Sequence, residues 1–139
     1  MQHTTYSKGI VMTPIMNNAI AVADLADTSV ATLVAGAKSI AFQFTGATIT
    51  TRSAILTVTV SLDNGTTYQA YSMLISNAAN SNAQDLIRVA SITRAATGTD
   101  ICWMTPETLG TITHIKTTLT ITDTGTPVGT FTVKASICY

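Results

Sequence analysis

Between Leu56 and Leu62 every second residue is apolar (Leu56, Val58, Val60, Leu62), and the residues between them are Thr57, Thr59 and Ser61. A period of two matches the pleat of a β-strand, whose successive side chains point to opposite faces; a helix would scatter the same residues around its circumference. The alternation recurs in Ile40, Phe42 and Phe44, again in Ile115, Thr117, Leu119 and Ile121, and again in Phe131, Val133, Ala135, Ile137 and Tyr139. Strands at this density, without a long amphipathic helix, predict an all-β chain. The expected architecture is an antiparallel β-sandwich of about seven or eight strands, with a jelly-roll order among those allowed.

Turn chemistry places the strand ends. Asp63-Asn64-Gly65 supplies residues that tolerate positive φ, and Tyr68, Tyr71, Met73 and Ile75 follow, so residues 55–75 read as a hairpin. Residues 111–122 and 131–139, separated by a stretch holding Gly125, Pro127 and Gly129, predict a second hairpin. Residues 76–84 are small and polar and read as a loop leading into a strand at 86–93, while residues 29–35 read as a strand. Residues 1–18 show no clean alternation and read as an extended N-terminal arm, with Tyr6, Ile10, Met12, Ile15 and Met16 as its assembly contacts; residues 19–139 form the β-sandwich domain.

Charge narrows the function classes. Charged residues make up 10% of the 139 positions, against roughly 25% in an ordinary soluble domain, and 28 positions are Thr. Threonine gives a strand a hydrated face without adding electrostatic repulsion. Seven basic and seven acidic side chains cancel, and no Lys/Arg cluster offers the phosphate-neutralising footprint of a nucleic-acid binder. Low repulsion on an apolar-rich chain suits a subunit whose surface is occupied by neighbours. The longest apolar stretch, near residues 19–25, is broken by Asp24 and is far short of the ~20 residues of a membrane span. No basic start followed by an apolar run marks a signal peptide, so synthesis in a cytoplasm is expected.

A catalytic constellation is not evident. His3 and His114 are the two imidazoles, Glu107 is the one glutamate, and no Gly-x-Ser-x-Gly elbow occurs. The aspartates sit mostly at turns and strand ends, where they shape the backbone. Cys102 and Cys138 match neither a zinc-ligand spacing nor a redox Cys-x-x-Cys and read as buried free thiols, with a disulfide as the alternative if Cys102 and the terminal strand lie side by side. Asn64-Gly65-Thr66 matches the N-glycosylation pattern and reads as a turn. No catalytic residue, metal site or cofactor is expected. Trp103, the single tryptophan, is read either as closing one end of a sandwich or as part of a sugar-stacking platform.

The segment 57–68, Thr-Val-Thr-Val-Ser-Leu-Asp-Asn-Gly-Thr-Thr-Tyr, resembles a strand-turn-strand common in β-sandwich structural proteins of tailed-phage virions, and 37–44, Ala-Lys-Ser-Ile-Ala-Phe-Gln-Phe, is similar to the strand that often precedes it. The resemblance covers the middle third of the chain and is shared with carbohydrate-binding and fibronectin-like sandwiches. It implies a non-enzymatic role in a virion, as a capsid decoration protein or a head or tail accessory subunit. Expected partners are further copies of the chain, in a trimer or ring, and other virion proteins, with no direct nucleic acid and no membrane. The alternative is a glycan- or receptor-binding module using Tyr68, Tyr71 and Trp103.

Overall fold

The structure is a computed structural model and describes residues 10–18, 25–28, 31–76 and 86–139. Among these residues the chain is all-β, with ten strands joined in one antiparallel, sandwich-like sheet and a single four-residue helix.

Two long strands organise it: β4 (Ser39–Ser61) and β10 (His114–Cys138), paired along nearly their whole length. The segments 40–44 and 55–61 are therefore two ends of one strand, and so are 115–121 and 131–137; Leu62, expected to continue the apolar face, lies just beyond β4 and is 60% exposed. This corrects the second hairpin. The glycine-rich stretch around Gly125 and Gly129 does not reverse the chain, because the residues on either side of it pair with the same partner, β4.

Instead, that stretch is a bend with a bulge. Between the pairs Arg52↔Asp123 and Ala47↔Thr130, β4 has four residues and β10 has six. An even excess preserves alternation, so Ile115, Leu119 and Ile121 before the bend and Phe131, Val133, Ala135 and Ile137 after it all face the core. An odd excess would have turned one half of β10 inside out. Thr48 and Thr51 adopt φ of 57° and 52°, and Gly129 adopts 110°. A Cβ at Gly129 would lie 2.6 Å from the carbonyl oxygens of both Ala47 and Thr48, so only glycine allows this approach.

Arg52 clamps the bend from inside. Its Nε donates to Asp123 Oδ1 at 2.7 Å, its Nη1 donates to Gly129 O at 2.8 Å, and its guanidinium lies 5.9 Å from the centre of the Phe131 ring. One buried cation thus ties together both ends of the bulge.

The bend divides the sheet into two halves. Along residues 39–47 of β4 lie the second half of β10 on one side and β9 (Gly98–Trp103) on the other. Beyond β9 come β6 (Met73–Ser76) and then β7 (Leu86–Val89). Along residues 53–61 lie the first half of β10, and β5 (Gln69–Tyr71) and β8 (Ile92–Arg94). The chain passes between halves at Ser72, which splits the strand expected over 67–75, and again between β7 and β8, which splits the one expected over 86–93. Apolar side chains from both halves meet in one core, centred on Ile40, Phe42, Phe44, Leu56, Leu119 and Phe131, with Phe44 and Phe131 rings 5.9 Å apart.

The hairpin at Asp63-Asn64-Gly65 is present: Val58 pairs with Tyr71 and Val60 with Gln69. Asn64 and Gly65 take φ of 59° and 85°. Of the segment read as an arm, Ile10–Asn18 forms strand β1, paired with the second half of β10 at the sheet edge, and Pro14 sits next to its bulge, where the missing N–H is tolerated. Tyr6 lies outside the described residues, as do residues 19–24, 29–30 and 77–85, which include most of the loop expected over 76–84. The strand expected over 29–35 is represented by β3 (Thr32–Leu33), with β2 (Leu25–Thr28) before it; both pair with β10. Helix α1 (Pro106–Leu109) was not foreseen; it buries Leu109, and Ile112 just beyond it, against the core.

Candidate functional site

Alternation that sends Phe42 and Phe44 inward sends Ala41 and Gln43 outward. The strand registers extend this outer face across the sheet. One row runs Ser136, Ala41, Trp103, Leu74, Arg88 from β10 to β7; beside it run Lys134, Gln43 and Ile101, with Ser76 paired to Leu86. Trp103 is 36% exposed, Ile101 50% and Leu86 50%. Because Ala41 and Ser136 are small, a shallow apolar hollow of about 200 Å³ opens between them and Ile101. A second cavity, of about 360 Å³, is bordered by Trp103, Ile101, Ile75, Ile92 and Asp100. Solvent-facing apolar side chains next to a sheet edge are suited to contact with another protein surface.

The sheet's far edge adds a second feature. Among the described residues, β6 is the only strand that pairs with β7, which stands at the end of the strand order. Ile87, on the core-facing side of β7 opposite Ile75, is 40% exposed. Apolar side chains are therefore left open on both faces of this edge strand.

The three rings of the stacking platform serve separate surroundings. Trp103 borders the larger cavity, and neither Tyr68 nor Tyr71 lines it. Tyr71 reaches from β5 to α1: its hydroxyl accepts the Thr105 N–H at 2.7 Å and lies 3.0 Å from Thr108 Oγ1, which anchors the start of the helix. Tyr68 is half-buried under Lys116, whose Nζ is 4.1 Å from the ring centre, a cation–π contact. The backbones of Ile10, Met12, Ile15 and Met16 lie in β1, along β10.

Several of the polar residues weighed for chemistry have structural partners, while His3 lies outside the described residues. Asp63 organises its turn: Oδ1 accepts from Ser61 Oγ at 2.7 Å and from the Thr67 amide at 2.8 Å, and Oδ2 accepts from Thr67 Oγ1 at 2.6 Å. The hydroxyl and amide of Thr67, followed by the hydroxyl of Ser61, hold this carboxyl well below the usual carboxylate range. Ser61 Oγ also accepts the Gly65 amide at 2.9 Å, so the Asn-Gly-Thr pattern sits in a tightly bonded turn. His114 Nδ1 is 3.2 Å from Thr113 Oγ1. Asp100 pairs with Arg94 at 2.7 Å, as Asp123 does with Arg52. Among the described residues, no group of three His, Cys, Asp or Glu side chains is placed to hold a metal ion.

Both cysteines are free thiols. Cys102 is buried, with its Sγ 3.4 Å from Met73 Sδ; burial, reinforced by the nearby Asp100 carboxylate, pushes its thiol up to about 12. Cys138 is only half-buried.

Compared with known proteins, the chain matches no protein family, no curated protein and no solved structure.

Strand β9, which carries the outer apolar row, was missed in the sequence. Thr99, Ile101 and Trp103 do alternate with Asp100 and Cys102, but here the larger apolar residues face solvent. The pattern is thus inverted relative to a core strand, and hydrophobicity alone does not register it.

Proposed function

We propose that this chain is a non-enzymatic structural subunit of a virion or comparable protein assembly, in a capsid-decoration or head or tail accessory role. The observation that carries the reading is the set of solvent-facing apolar side chains Trp103, Ile101 and Leu86 on one sheet face that ends in β7, on a chain of zero net charge. Low charge removes the repulsion that keeps ordinary surfaces apart, and apolar side chains left in water favour contact with a neighbour. The resemblance of residues 57–68 to virion β-sandwich proteins supplies the setting. Partners in this reading are further copies of the chain and other virion proteins, and contact with nucleic acid or membrane has no part in it.

Sedimentation velocity at micromolar concentration, together with co-sedimentation with particles from the same source, tests the proposal. Species larger than a monomer, or specific particle binding, are expected. A monodisperse monomer that ignores the particles would overturn it. A glycan- or receptor-binding module is the second reading, favoured by the exposure of Trp103 at the rim of its cavity; binding to a glycan array that is lost in Trp103→Ala would select it.

A further inference from the structure

We infer that Asn64 is a site of spontaneous deamidation held shut by Ser61: when the Gly65 amide leaves the Ser61 hydroxyl, Asn64 closes to a succinimide and reopens as aspartate or isoaspartate. This goes beyond the assembly reading and does not depend on it. Asn64-Gly65 is the one Asn-Gly pair in the chain, and the Asn64 side chain is exposed. Glycine has no Cβ, so its amide nitrogen is the least hindered backbone nucleophile that an asparagine can have beside it.

The chemistry needs the Gly65 nitrogen free. It gives its proton to a solvent base and attacks Asn64 Cγ; the new N–Cγ bond closes a five-membered imide, the Cγ–Nδ2 bond breaks, and the side-chain nitrogen takes up a proton and leaves as ammonia. Water then opens the ring. Cleavage of the N–Cγ bond leaves aspartate in the ordinary main chain, whereas cleavage of the bond between the Gly65 nitrogen and the Asn64 backbone carbon leaves isoaspartate, with the chain rerouted through Cβ and Cγ. Nothing is oxidised or reduced, and water is the only co-reactant.

The folded turn withholds that nitrogen. Gly65 N–H donates to Ser61 Oγ at 2.9 Å, and Ser61 is 0% exposed. Ser61 Oγ is itself fixed, because it donates to Asp63 Oδ1 at 2.7 Å while the same carboxylate holds the Thr67 amide and hydroxyl. The Asn64 amide donates to Thr113 Oγ1 at 3.1 Å, which fastens the turn to the residue before β10. Asn64 and Gly65 are thereby kept at positive φ, 59° and 85°. An amide bonded to a buried oxygen is released for reaction only by local opening, so opened turns are the ones that react. Isoaspartate adds a main-chain carbon to a turn whose length sets the pairing of Val58 with Tyr71, so the change is both one-way and disruptive.

Peptide mass spectrometry of the full chain aged in mildly alkaline buffer, with isoaspartate scored by enzymatic methyl labelling, tests the inference. The folded chain should deamidate at Asn64 at least about tenfold more slowly than the same chain in urea. Ser61→Ala removes the acceptor and should speed the folded chain by about two- to ten-fold, the worth of one hydrogen bond. Thr66→Val deletes a hydroxyl that donates to Asp63 O, leaves the Gly65 amide bonded, and should match the unaltered chain. A measurement that needs no variant is hydrogen exchange of the Gly65 amide in the unaltered chain. Its protection should equal the factor by which folding slows deamidation, since one opening governs both. The inference is overturned by a folded chain that reacts as fast as the unfolded one, by an unprotected Gly65 amide, by a folded Ser61→Ala no faster than the unaltered chain, or by Thr66→Val as fast as Ser61→Ala. Should Ser61→Ala not fold, the exchange comparison decides alone.

Discussion

Replacing Asp123 by alanine should be among the most damaging changes in this protein outside the apolar core. The Arg52 side chain is 0% exposed and the Asp123 side chain 4%. In Asp123→Ala the buried guanidinium loses the Asp123 carboxylate and keeps, among its partners, the Gly129 carbonyl and the Phe131 ring. Removing one member of a buried ion pair costs about 3–5 kcal/mol. For a domain whose total stability is of order 5–15 kcal/mol this is about a fifth or more of the whole, and it corresponds to a fall in melting temperature of roughly 10–25 °C at this chain length. Urea unfolding followed by far-ultraviolet circular dichroism, with Trp103 fluorescence as a second probe, measures the loss. The double variant Arg52→Met, Asp123→Leu removes both charges of the pair and should unfold at higher urea than Asp123→Ala. A cost below about 1 kcal/mol for Asp123→Ala, the level of an exposed pair, would refute the reasoning. So would a double variant no more stable than the single one.

Three further outcomes are expected. Gly129→Ala should cost about 3 kcal/mol or more, since it combines an unfavourable φ of 110° with a Cβ 2.6 Å from two carbonyl oxygens; thermal melts would show it, and a near-neutral result would mean the bend is not built as described. A thiol reagent at neutral pH should label Cys138 and spare Cys102 until the protein unfolds. Because the folded Cys102 pKa is raised, the unfolded thiol ionises first, so its contribution to stability is complete below the ordinary thiol pKa and is lost as pH climbs towards about 12, a loss absent in Cys102→Ala. Asp63 has the opposite sign. Its folded pKa is depressed, so its contribution is present above the ordinary carboxylate pKa and disappears as pH falls below it; Asp63→Asn should flatten this acid limb of the stability profile, and an unchanged limb would count against the Thr67 and Ser61 hydrogen bonds.

Local pattern carried the all-β class, the inward-facing residues and the first hairpin, because each depends on neighbours a few positions apart. Leu56, Val58 and Val60 alternate whatever they pair with, and Asn64-Gly65 takes positive φ wherever it sits. The stretch around Gly125 and Gly129 is different. Its residues permit a reversal or a bulge equally well, and which one forms depends on whether 131–137 finds its partner in 115–121 or in β4, a choice made across the sheet. The candidate surface was hidden for a related reason. Trp103 and Ile101 look like core residues to any local measure, and only the burial of Cys102 against Met73 fixes which face of β9 turns outward. Composition and local alternation together determined that the chain would be a weakly charged sheet protein. Tertiary structure decided where two strands would bend, which strand would stand at the end of the order and which apolar residues would meet solvent, because these follow from competition between distant segments for the same backbone hydrogen bonds and the same core volume.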